Sequence, residues 1–396
     1  MTNTKNKYIF SAAWLFPLVA AAPLGLDICL PSMTIISDDL GSSLSLTQWV
    51  ISGYVLCLSI GQLVFGPLVD RYGAQKIFVL GAMLFCFNAA LVYFVTTMPV
   101  LLFLRILQGV GASAVAVSIF SSVPKLFSGN VIGKVFGILN GVISLVPLLA
   151  PIIGGIIVSN YSWQGTFYFL ALYLILCLLL IIKKPLPRVK TPTKRCFYDV
   201  MSGYRQVWLK PEFKLGCLAS ACGFASQLIF FSSSPIVIVD VLNISVSEFG
   251  YYFSVNALAI TCGSVVAAKC MGKYKEITLL HYGGLMIFIA GLGLLMTSLT
   301  ELSVWGYILP ASFGSFGFAL LMAAGASIAL SSFKELSGTA SALMACIQMT
   351  FASIVSWIVI ANWSADWVSM IMGYFVLSIT IMILLLMYRA NNVRLN

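Results

Sequence analysis

Apolar runs recur along the whole chain, and each is long enough to cross a lipid bilayer as a helix. Only 9% of the residues are charged, whereas soluble domains carry about 25% charged residues. No soluble fold could bury this much apolar surface, so the sequence predicts an all-α integral membrane protein. We expect twelve transmembrane helices, at residues 9–33, 46–67, 76–96, 99–123, 134–159, 164–183, 213–236, 247–268, 277–299, 303–329, 338–361 and 366–388.

A polar connection divides the predicted helices into two groups of six. Residues 184–212 are rich in Lys, Arg and Pro and form the longest polar stretch of the chain. We therefore expect two pseudo-symmetric six-helix halves, as in many secondary transporters. The predicted parts are an N-terminal bundle at 1–183, a cytoplasmic linker at 184–212 and a C-terminal bundle at 213–396.

Basic residues segregate to one side of the predicted helices. When the N-terminus is placed inside, every Lys and Arg except Arg105 falls in an inside segment. The positive-inside rule then predicts a bacterial cytoplasmic (inner) membrane protein with both termini in the cytoplasm. The formal charge of +10 is mainly this topology signal, with some attraction to anionic lipid, and does not indicate a nucleic-acid partner. The outside loops carry Asp38, Asp39, Asp240, Glu248, Glu301 and Asp366.

The stretch "GPLVDRYGAQK" is a short charged turn between the second and third predicted helices. Gly66 and Gly73 allow close backbone approach and a tight turn. Asp70 can face a helix N-terminus or a neighbouring Arg, giving a charge lock that forms in one conformation and breaks in another. A solvated turn is the simpler alternative. The turn resembles the signature loop of the major facilitator superfamily, which it matches at Gly66, Leu68, Asp70, Arg71, Gly73 and Lys76.

Three further stretches resemble the same superfamily. The stretch "LLFLRILQGVGAS" is similar to its fourth-helix motif, and "GVISLVPLLAPIIGG" to the fifth-helix motif of its drug-exporting branches, although Ala150 replaces the usual Gly. The stretch "LDICLPSM" resembles the first-helix element of the bicyclomycin-resistance (Bcr/CflA) branch, with Cys29 in place of the common Tyr. The matched residues are Arg105, Gln108, Gly109, Gly111 and Ala112 in the fourth helix and Gly141, Pro147, Pro151, Gly154 and Gly155 in the fifth.

The resemblance implies a drug:proton antiporter that exports small organic compounds by alternating access. In such a protein the fifth-helix motif would be a seal or hinge that favours exchange over leak, and ordinary helix packing is the alternative. A dedicated exporter of a metabolite, such as a siderophore or an amino acid, is a rival function. A proton-coupled importer on the same scaffold is a further alternative, for which the departure at Ala150 leaves room.

One carboxyl group, Asp27, interrupts the first apolar run. A carboxylate at membrane depth costs several kcal/mol unless it is paired, hydrated or protonated, so Asp27 could bind and release a proton. Pro31 cannot donate a hydrogen bond to the Asp27 carbonyl, which weakens the helix there. Arg105 should lie at a similar depth on the fourth helix. It could stabilise the Asp27 carboxylate in one conformation and release it in another, or form a static buried ion pair. In the exporters that the sequence resembles, this first-helix element holds the proton-carrying acid.

Six polar residues within apolar runs are candidates for the wall of a substrate cavity. Polar side chains in transmembrane helices usually face the protein interior, where they contact substrate or bond to a neighbouring helix. Both roles are open for each candidate. The candidates are Tyr54, Gln108, Asn140, Gln227, Asn256 and Gln348.

Catalytic and metal-binding motifs are missing from the sequence. It contains neither H-E-x-x-H nor G-x-S-x-G, and the stretch "GNVIGK" lacks the spacing of a phosphate-binding loop. The single histidine, His281, cannot form a multi-histidine metal site. We therefore expect a transporter rather than an enzyme, without cofactor or metal. Its expected partners are a small-molecule substrate, protons and the lipid bilayer, and the expected state is a monomer.

Overall fold

Twelve membrane-length helices dominate the computed structural model, which describes residues 12–127, 131–187, 197–300, 303–333, 337–363 and 367–393. Within these ranges, the number and order of the long apolar helices agree with the prediction. The helices are α1 (Ala13–Asp39), α2 (Ser45–Tyr72), α3 (Ala74–Phe94), α4 (Met98–Leu126), α5 (Val135–Asn160), α6 (Trp163–Lys183), α7 (Pro211–Val241), α8 (Val246–Cys270), α9 (Glu276–Leu299), α10 (Val304–Leu330), α11 (Thr339–Asn362) and α12 (Trp367–Arg389). The predicted helix start at residue 9 lies outside the described residues, as do Glu301 and Asp366.

Helix α1 is interrupted where the sequence predicted a weak point. Its first regular part, Phe16–Asp27, ends at the predicted acid, and a short 3-10 turn follows at Leu30–Ser32. Pro31 lies in that turn and has no N–H, so the α-helical hydrogen-bond pattern cannot continue through it. The chain then resumes a helix at Met33–Asp39. Helix α1 therefore extends past residue 33, where the prediction had ended it.

Three acidic residues assigned to outer loops lie at helix ends instead. Asp38 and Asp39 form the last turn of α1, and the Trp163 indole N–H donates to Asp39 Oδ2 at 2.7 Å. Asp240 belongs to a π-helical segment, Ile236–Val241, that ends α7. The apolar-run boundaries missed these turns because the helices continue beyond their apolar residues.

The connection between the two groups of helices contains a helix that the sequence prediction missed. Residues Phe197–Trp208 are helical, within the stretch predicted to be a polar linker. Val207 of this helix is fully buried in an apolar cluster with Phe213 and Met344. The second part of the connection therefore packs against α7 and α11 rather than running free.

Close helix packing repeats between the first six helices and the last six. A Cβ atom added at Gly81 of α3 would lie 2.7 Å from the carbonyl oxygen of Gly111 in α4. The corresponding pair in α9 and α10 is Gly283 and Gly317, where the same distance is 2.9 Å. Only glycine permits backbones to approach this closely. The fold thus consists of two six-helix pseudo-symmetric halves. That residues 1–183 and 213–396 move as two separate units remains a prediction.

Helices α2 and α11 join the two halves. We call the end of the bundle that contains the α1–α2 connection the acidic end, and the end that contains the α2–α3 turn the basic end. Near the acidic end the rings of Trp49 and Trp357 lie 5.5 Å apart, and further along α2 the hydroxyls of Ser59 and Thr350 are 2.7 Å apart. Closer to the basic end, a Cβ added at Gly66 would meet no atom within 4 Å.

Helices α5 and α8 are also in contact near the acidic end, with free space around α5 nearer the basic end. At the acidic end, a Cβ at Gly155 would lie 2.7 Å from the Val246 carbonyl, and Ser254 Oγ donates to the Leu148 carbonyl at 2.8 Å. Gly141 lies two turns from Leu148 on the same face of α5, yet a Cβ there would meet nothing within 4 Å. These contacts between the halves lie toward the acidic end, whereas Gly66 and Gly141, nearer the basic end, face open space.

Candidate functional site

Asp27 is buried at the break in α1. Its side chain is 1% exposed, and within the described part of the chain its Oδ1 atom has no hydrogen-bond partner. An unpaired carboxylate in an apolar interior costs several kcal/mol unless it is protonated or hydrated. This position therefore suits a group that changes between a neutral acid and a paired carboxylate.

Arg105 of α4 is fully buried and binds neutral acceptors on three helices. Its Nε donates to the Val50 carbonyl of α2 at 2.9 Å, and its Nη1 donates to the Gly25 carbonyl of α1 at 3.0 Å. Nη1 also donates to Gln108 Oε1 at 2.9 Å. The guanidinium carbon lies 4.4 Å from the centre of the Tyr54 ring, in a cation–π contact. The guanidinium thereby links α1, α2 and α4.

Asp27 and Arg105 share neighbours but form no ion pair among the described residues. Arg105 Nη2 lies 3.7 Å from Cys29 Sγ, two residues beyond Asp27. Arg105 Nη1 also reaches the Gly25 carbonyl, two residues before Asp27, at 3.0 Å. The two groups thus lie at a similar depth, as predicted, whereas the static ion pair considered as an alternative is not formed in this conformation.

Two glycines allow the three helices to meet around Tyr54. A Cβ at Gly25 would lie 2.7 Å from the Tyr54 hydroxyl, and a Cβ at Gly109 would lie 2.5 Å from the Tyr54 carbonyl oxygen. The Tyr54 hydroxyl donates to the Ala22 carbonyl at 2.8 Å. Tyr54 therefore acts as a packing and positioning residue in this conformation. The sequence analysis did not single out Gly25, although its place two residues before Asp27 was a usable signal.

The C-terminal half holds a different polar cluster. Gln227 Nε2 donates to Asn256 Oδ1 at 3.0 Å, and Asn256 Nδ2 donates to Ser315 Oγ at 2.7 Å. Ser315 Oγ donates in turn to Gln227 Oε1 at 2.7 Å, which closes a ring of three neutral side chains. Gln227 and Asn256 were candidates for the cavity wall, and the structure gives them the alternative role of joining helices. The sequence analysis missed Ser315, whose type alone carries little signal.

The remaining cavity candidates divide into buried and exposed residues. Gln348 of α11 is mostly buried, and its Nε2 donates to Ser220 Oγ of α7 at 2.6 Å. Gln108 is fully buried, and its Nε2 has no partner among the described residues. Asn140 of α5 is exposed, and its Nδ2 donates to the Phe136 carbonyl of its own helix at 3.0 Å. Asn140 lies next to Gly141, where α5 has separated from α8, so it is the candidate best placed to reach a substrate.

The charged turn ends α2 and begins α3. Gly73 has φ of +93°, a backbone conformation that favours glycine. Asp70 and Lys76 are exposed, and Arg71 lies 5.3 Å above the Tyr72 ring. In the described part of the chain, Asp70 has no ion-pair partner. The proposed charge lock is not formed here, and its role remains a prediction.

The fifth-helix motif is divided between a packed part and an open part. A Cβ at Gly154 would overlap the carbonyl of Ile28, the residue that follows Asp27. Gly155 packs closely against α8, although less closely than Gly154 packs against α1, and Pro151 is buried beside them. Gly141, by contrast, faces open space. The packed part joins α5 to α1 and α8 at the acidic end, as a seal would require.

The arrangement of possible metal ligands in the described residues does not meet the needs of a metal site. Across the described ranges, no three His, Cys, Asp or Glu side chains are grouped closely enough to hold a metal ion. The cysteines of those ranges are free thiols, many of them buried. The site is therefore built from one acid, one guanidinium and neutral polar groups.

Comparison with known proteins decides the family. The profile described as Major Facilitator Superfamily matches residues 15–356. The chain belongs to the major facilitator superfamily. Its motifs therefore belong to a family of transporters, and the resemblance to the drug:proton antiporter branch is confirmed by the relatives.

The sequences of two similar proteins align with most of this chain. A bicyclomycin resistance protein homolog from Haemophilus influenzae is 25% identical over 358 residues, which are 90% of this chain and 89% of the relative. A chloramphenicol resistance protein from Pseudomonas aeruginosa is 27% identical over 353 residues, which are 87% of this chain and 83% of the relative. A solved POT family transporter in complex with a thioalcohol-conjugated peptide has a TM-score of 0.76 at 14% identity, covering 97% of this chain and 96% of its own. That likeness supports the fold alone.

Proposed function

We propose that this superfamily member is a proton-coupled antiporter that exports small organic compounds across the bacterial cytoplasmic membrane by alternating access. The observation that carries the proposal is the buried carboxyl of Asp27, whose Oδ1 has no partner among the described residues, at the break in α1. Within the same residues, the acceptors of the neighbouring Arg105 are neutral. The drug-resistance names of the relatives support export as the direction.

The basic end is placed in the cytoplasm. Lysines and arginines concentrate in the connections at that end, in agreement with the positive-inside rule. The gap between the halves opens toward the same end, so the described conformation is suited to accept substrate from the cytoplasm. Asn140, exposed beside that gap, is the first candidate for substrate contact.

Proton coupling follows from an exchange of acceptors around Arg105. The guanidinium now binds the Gly25 carbonyl, two residues before Asp27 on the same helix. A small movement of α1 would bring the Asp27 carboxyl to the guanidinium, where it releases its proton to the cytoplasmic side. The carboxylate then replaces the Gly25 carbonyl, because a guanidinium binds a carboxylate more strongly than it binds a neutral carbonyl. Reprotonation from the opposite side returns Arg105 to its neutral acceptors.

Alternating access is proposed to occur by rocking of residues 1–183 against 213–396. The Gly154 and Gly155 contacts of α5 with α1 and α8 close the acidic end while the basic end is open. Since Gly154 packs on Ile28, opening of this seal would move the backbone next to Asp27. A movement that opens the seal would therefore also displace the proton site.

Transport in liposomes tests the proposal. Purified protein is reconstituted, and proton flux is recorded as drugs and metabolites are added, for wild type, Asp27→Asn and the control Asp38→Asn. Asp38 is an exposed carboxylate at the acidic end of the same helix, so it controls for loss of a negative charge. We expect substrate-dependent flux in wild type and Asp38→Asn and none in Asp27→Asn. Persistent flux in Asp27→Asn would contradict the proposal, and a response to metabolites alone would favour the dedicated exporter.

A further inference from the structure

An apolar groove lies on the outer surface of the C-terminal half, between α8, α9 and α10. Its volume is about 340 Å³. It lies outside the polar clusters described above and contains none of the residues assigned to transport. The groove is lined by Val266, Cys270, Tyr274, Leu279, Tyr282, Leu285, Met286, Ile289 and Leu320.

The groove is long and narrow along α9. Its lining residues on that helix recur every three or four positions from Leu279 to Ile289, so they form one stripe of the helix surface. Ten residues of helix extend about 15 Å, which is half of the ~30 Å hydrocarbon core of a bilayer. The stripe therefore matches the depth of one lipid leaflet.

A lysine-rich turn closes the basic end of the groove. Cys270 and Tyr274 both line the groove, and the turn between them is held by hydrogen bonds from Lys273 N and Tyr274 N to the Cys270 carbonyl, each at 3.1 Å. Lys269 precedes Cys270, and Lys275 follows Tyr274. All three lysines are exposed, and none has an ion-pair partner in the described part of the chain. The three lysines thus adjoin two lining residues of the groove, and the one carboxylate of the same turn, Glu276, accepts a hydrogen bond from Ser327. The net charge of residues 269–276 is +2.

We propose that this groove binds an anionic phospholipid, with an acyl chain along α9 and the phosphate headgroup at Lys269, Lys273 and Lys275. The basic end lies at headgroup depth, where lysine side chains extend toward the polar region of the bilayer. Each lysine near the membrane surface attracts anionic lipid, and an apolar groove alone would take any acyl chain. The headgroup charge is therefore the feature that the site selects.

A second copy of the chain is a poorer occupant. A two-fold interface across this groove would bring two identical lysine turns together, and like charges at an interface are unfavourable. The inference needs only that the chain spans a membrane, so it stands or falls separately from proton coupling.

A second groove on the neighbouring face of α9 provides an internal comparison. Its volume is about 260 Å³, and it shares Leu285 with the first groove. It is otherwise formed by α9 and α12, and no residue of the lysine turn lines it. We expect this second groove to accept acyl chains without preference for the headgroup.

Native mass spectrometry of lipid binding tests the inference. Purified protein in neutral detergent is titrated with phosphatidylglycerol or with phosphatidylcholine, and bound lipids are counted. The variants are a triple substitution, Lys269→Gln with Lys273→Gln and Lys275→Gln, and a groove-filling Val266→Trp. The matched control replaces Lys183, Lys184 and Lys210 by Gln, which removes three exposed charges at the basic end away from the groove. Thermal unfolding in phosphatidylcholine checks that each variant is folded.

The expected result is a preference of wild type for phosphatidylglycerol that the triple variant loses. Affinity for this lipid should fall about fivefold for each lysine removed, while phosphatidylcholine binding is unchanged. Val266→Trp should weaken binding of both lipids, and the control should resemble wild type. Equal loss in the control, no headgroup preference in wild type, or protein dimers in place of bound lipid would each overturn the inference.

Discussion

The polar cluster around Gln227 in the C-terminal half differs from the cluster around Asp27 in the N-terminal half in how its hydrogen bonds are satisfied. In the C-terminal half, Gln227, Asn256 and Ser315 form a closed ring in which each side chain both donates and accepts. In the N-terminal half, Asp27 Oδ1 and Gln108 Nε2 are buried without a partner among the described residues. One cluster is neutral and satisfied, and the other is charged and unsatisfied.

This difference separates a structural role from a functional one. A fully satisfied neutral network stabilises one arrangement of helices, since any movement breaks hydrogen bonds in a medium without water. An unsatisfied acid and amide beside a guanidinium gain partners when helices move. The N-terminal half is therefore expected to carry the proton chemistry, and the C-terminal half to provide a rigid wall.

The largest expected effect follows from removing the guanidinium. Arg105→Ala removes the hydrogen bonds from the guanidinium to the Gly25 and Val50 carbonyls, and each lost bond from a charged donor costs about 1.5–3 kcal/mol. We expect loss of coupled transport and a lower melting temperature. Arg105→Lys should not restore coupling, because an ammonium lacks the planar fork that reaches two helices. Liposome transport and thermal unfolding measure the two effects, and full coupling in Arg105→Lys would contradict the assigned role.

The next largest effect on transport is expected where Gly154 of α5 packs against α1. Gly154→Val places atoms on the Ile28 carbonyl next to Asp27, so we expect loss of transport or a proton leak. Gly141→Val is the matched control on the same helix, because that position faces open space. Proton leak in substrate-free liposomes distinguishes the variants. If both behaved alike, the contact of α5 with α1 would not be a seal.

Breaking the ring in the C-terminal half should affect stability more than coupling. Asn256→Ala removes two of the three hydrogen bonds of the ring and should lower the free energy of unfolding by about 1–3 kcal/mol. The ratio of protons to substrate should remain that of wild type. A changed ratio in this variant would show that the ring takes part in coupling, and would remove the distinction between the halves.

The smallest expected effect is at the charged turn. Asp70 is exposed and has no ion-pair partner in the described part of the chain, so we expect it to contribute only where the basic ends approach each other. We expect Asp70→Asn to slow turnover a few-fold and to leave substrate affinity unchanged. Transport rates and equilibrium binding, measured on the same preparation, separate these two quantities, and normal turnover would argue against the charge lock.

Much of this architecture was predictable because its signals are local. The length of the apolar runs predicted twelve helices. Asp27, Pro31 and Arg105 were conspicuous because they interrupt such runs. The acceptors of Arg105 were not predictable. They are the backbone carbonyls of Gly25 and Val50, and every residue type carries such a group.

Other features depended on packing between distant helices. Gln227 and Asn256 were candidates either for a cavity wall or for a bond to a neighbouring helix, and their partnership with Ser315 was not predictable because it requires three helices to meet. The helix Phe197–Trp208 was missed because its Lys- and Arg-rich surroundings suggested a solvated linker, whereas Val207 is buried against the C-terminal half.

The central claim is that Asp27 carries the coupled proton, and proton release on substrate binding tests it most directly. A transported substrate is added to purified protein in weakly buffered detergent solution, and released protons are measured with an indicator dye. We predict release of about one proton per wild-type molecule, since one buried carboxyl changes state. Asp27→Asn should bind the substrate and release none. Undiminished release by Asp27→Asn would contradict the claim and assign the proton to another group.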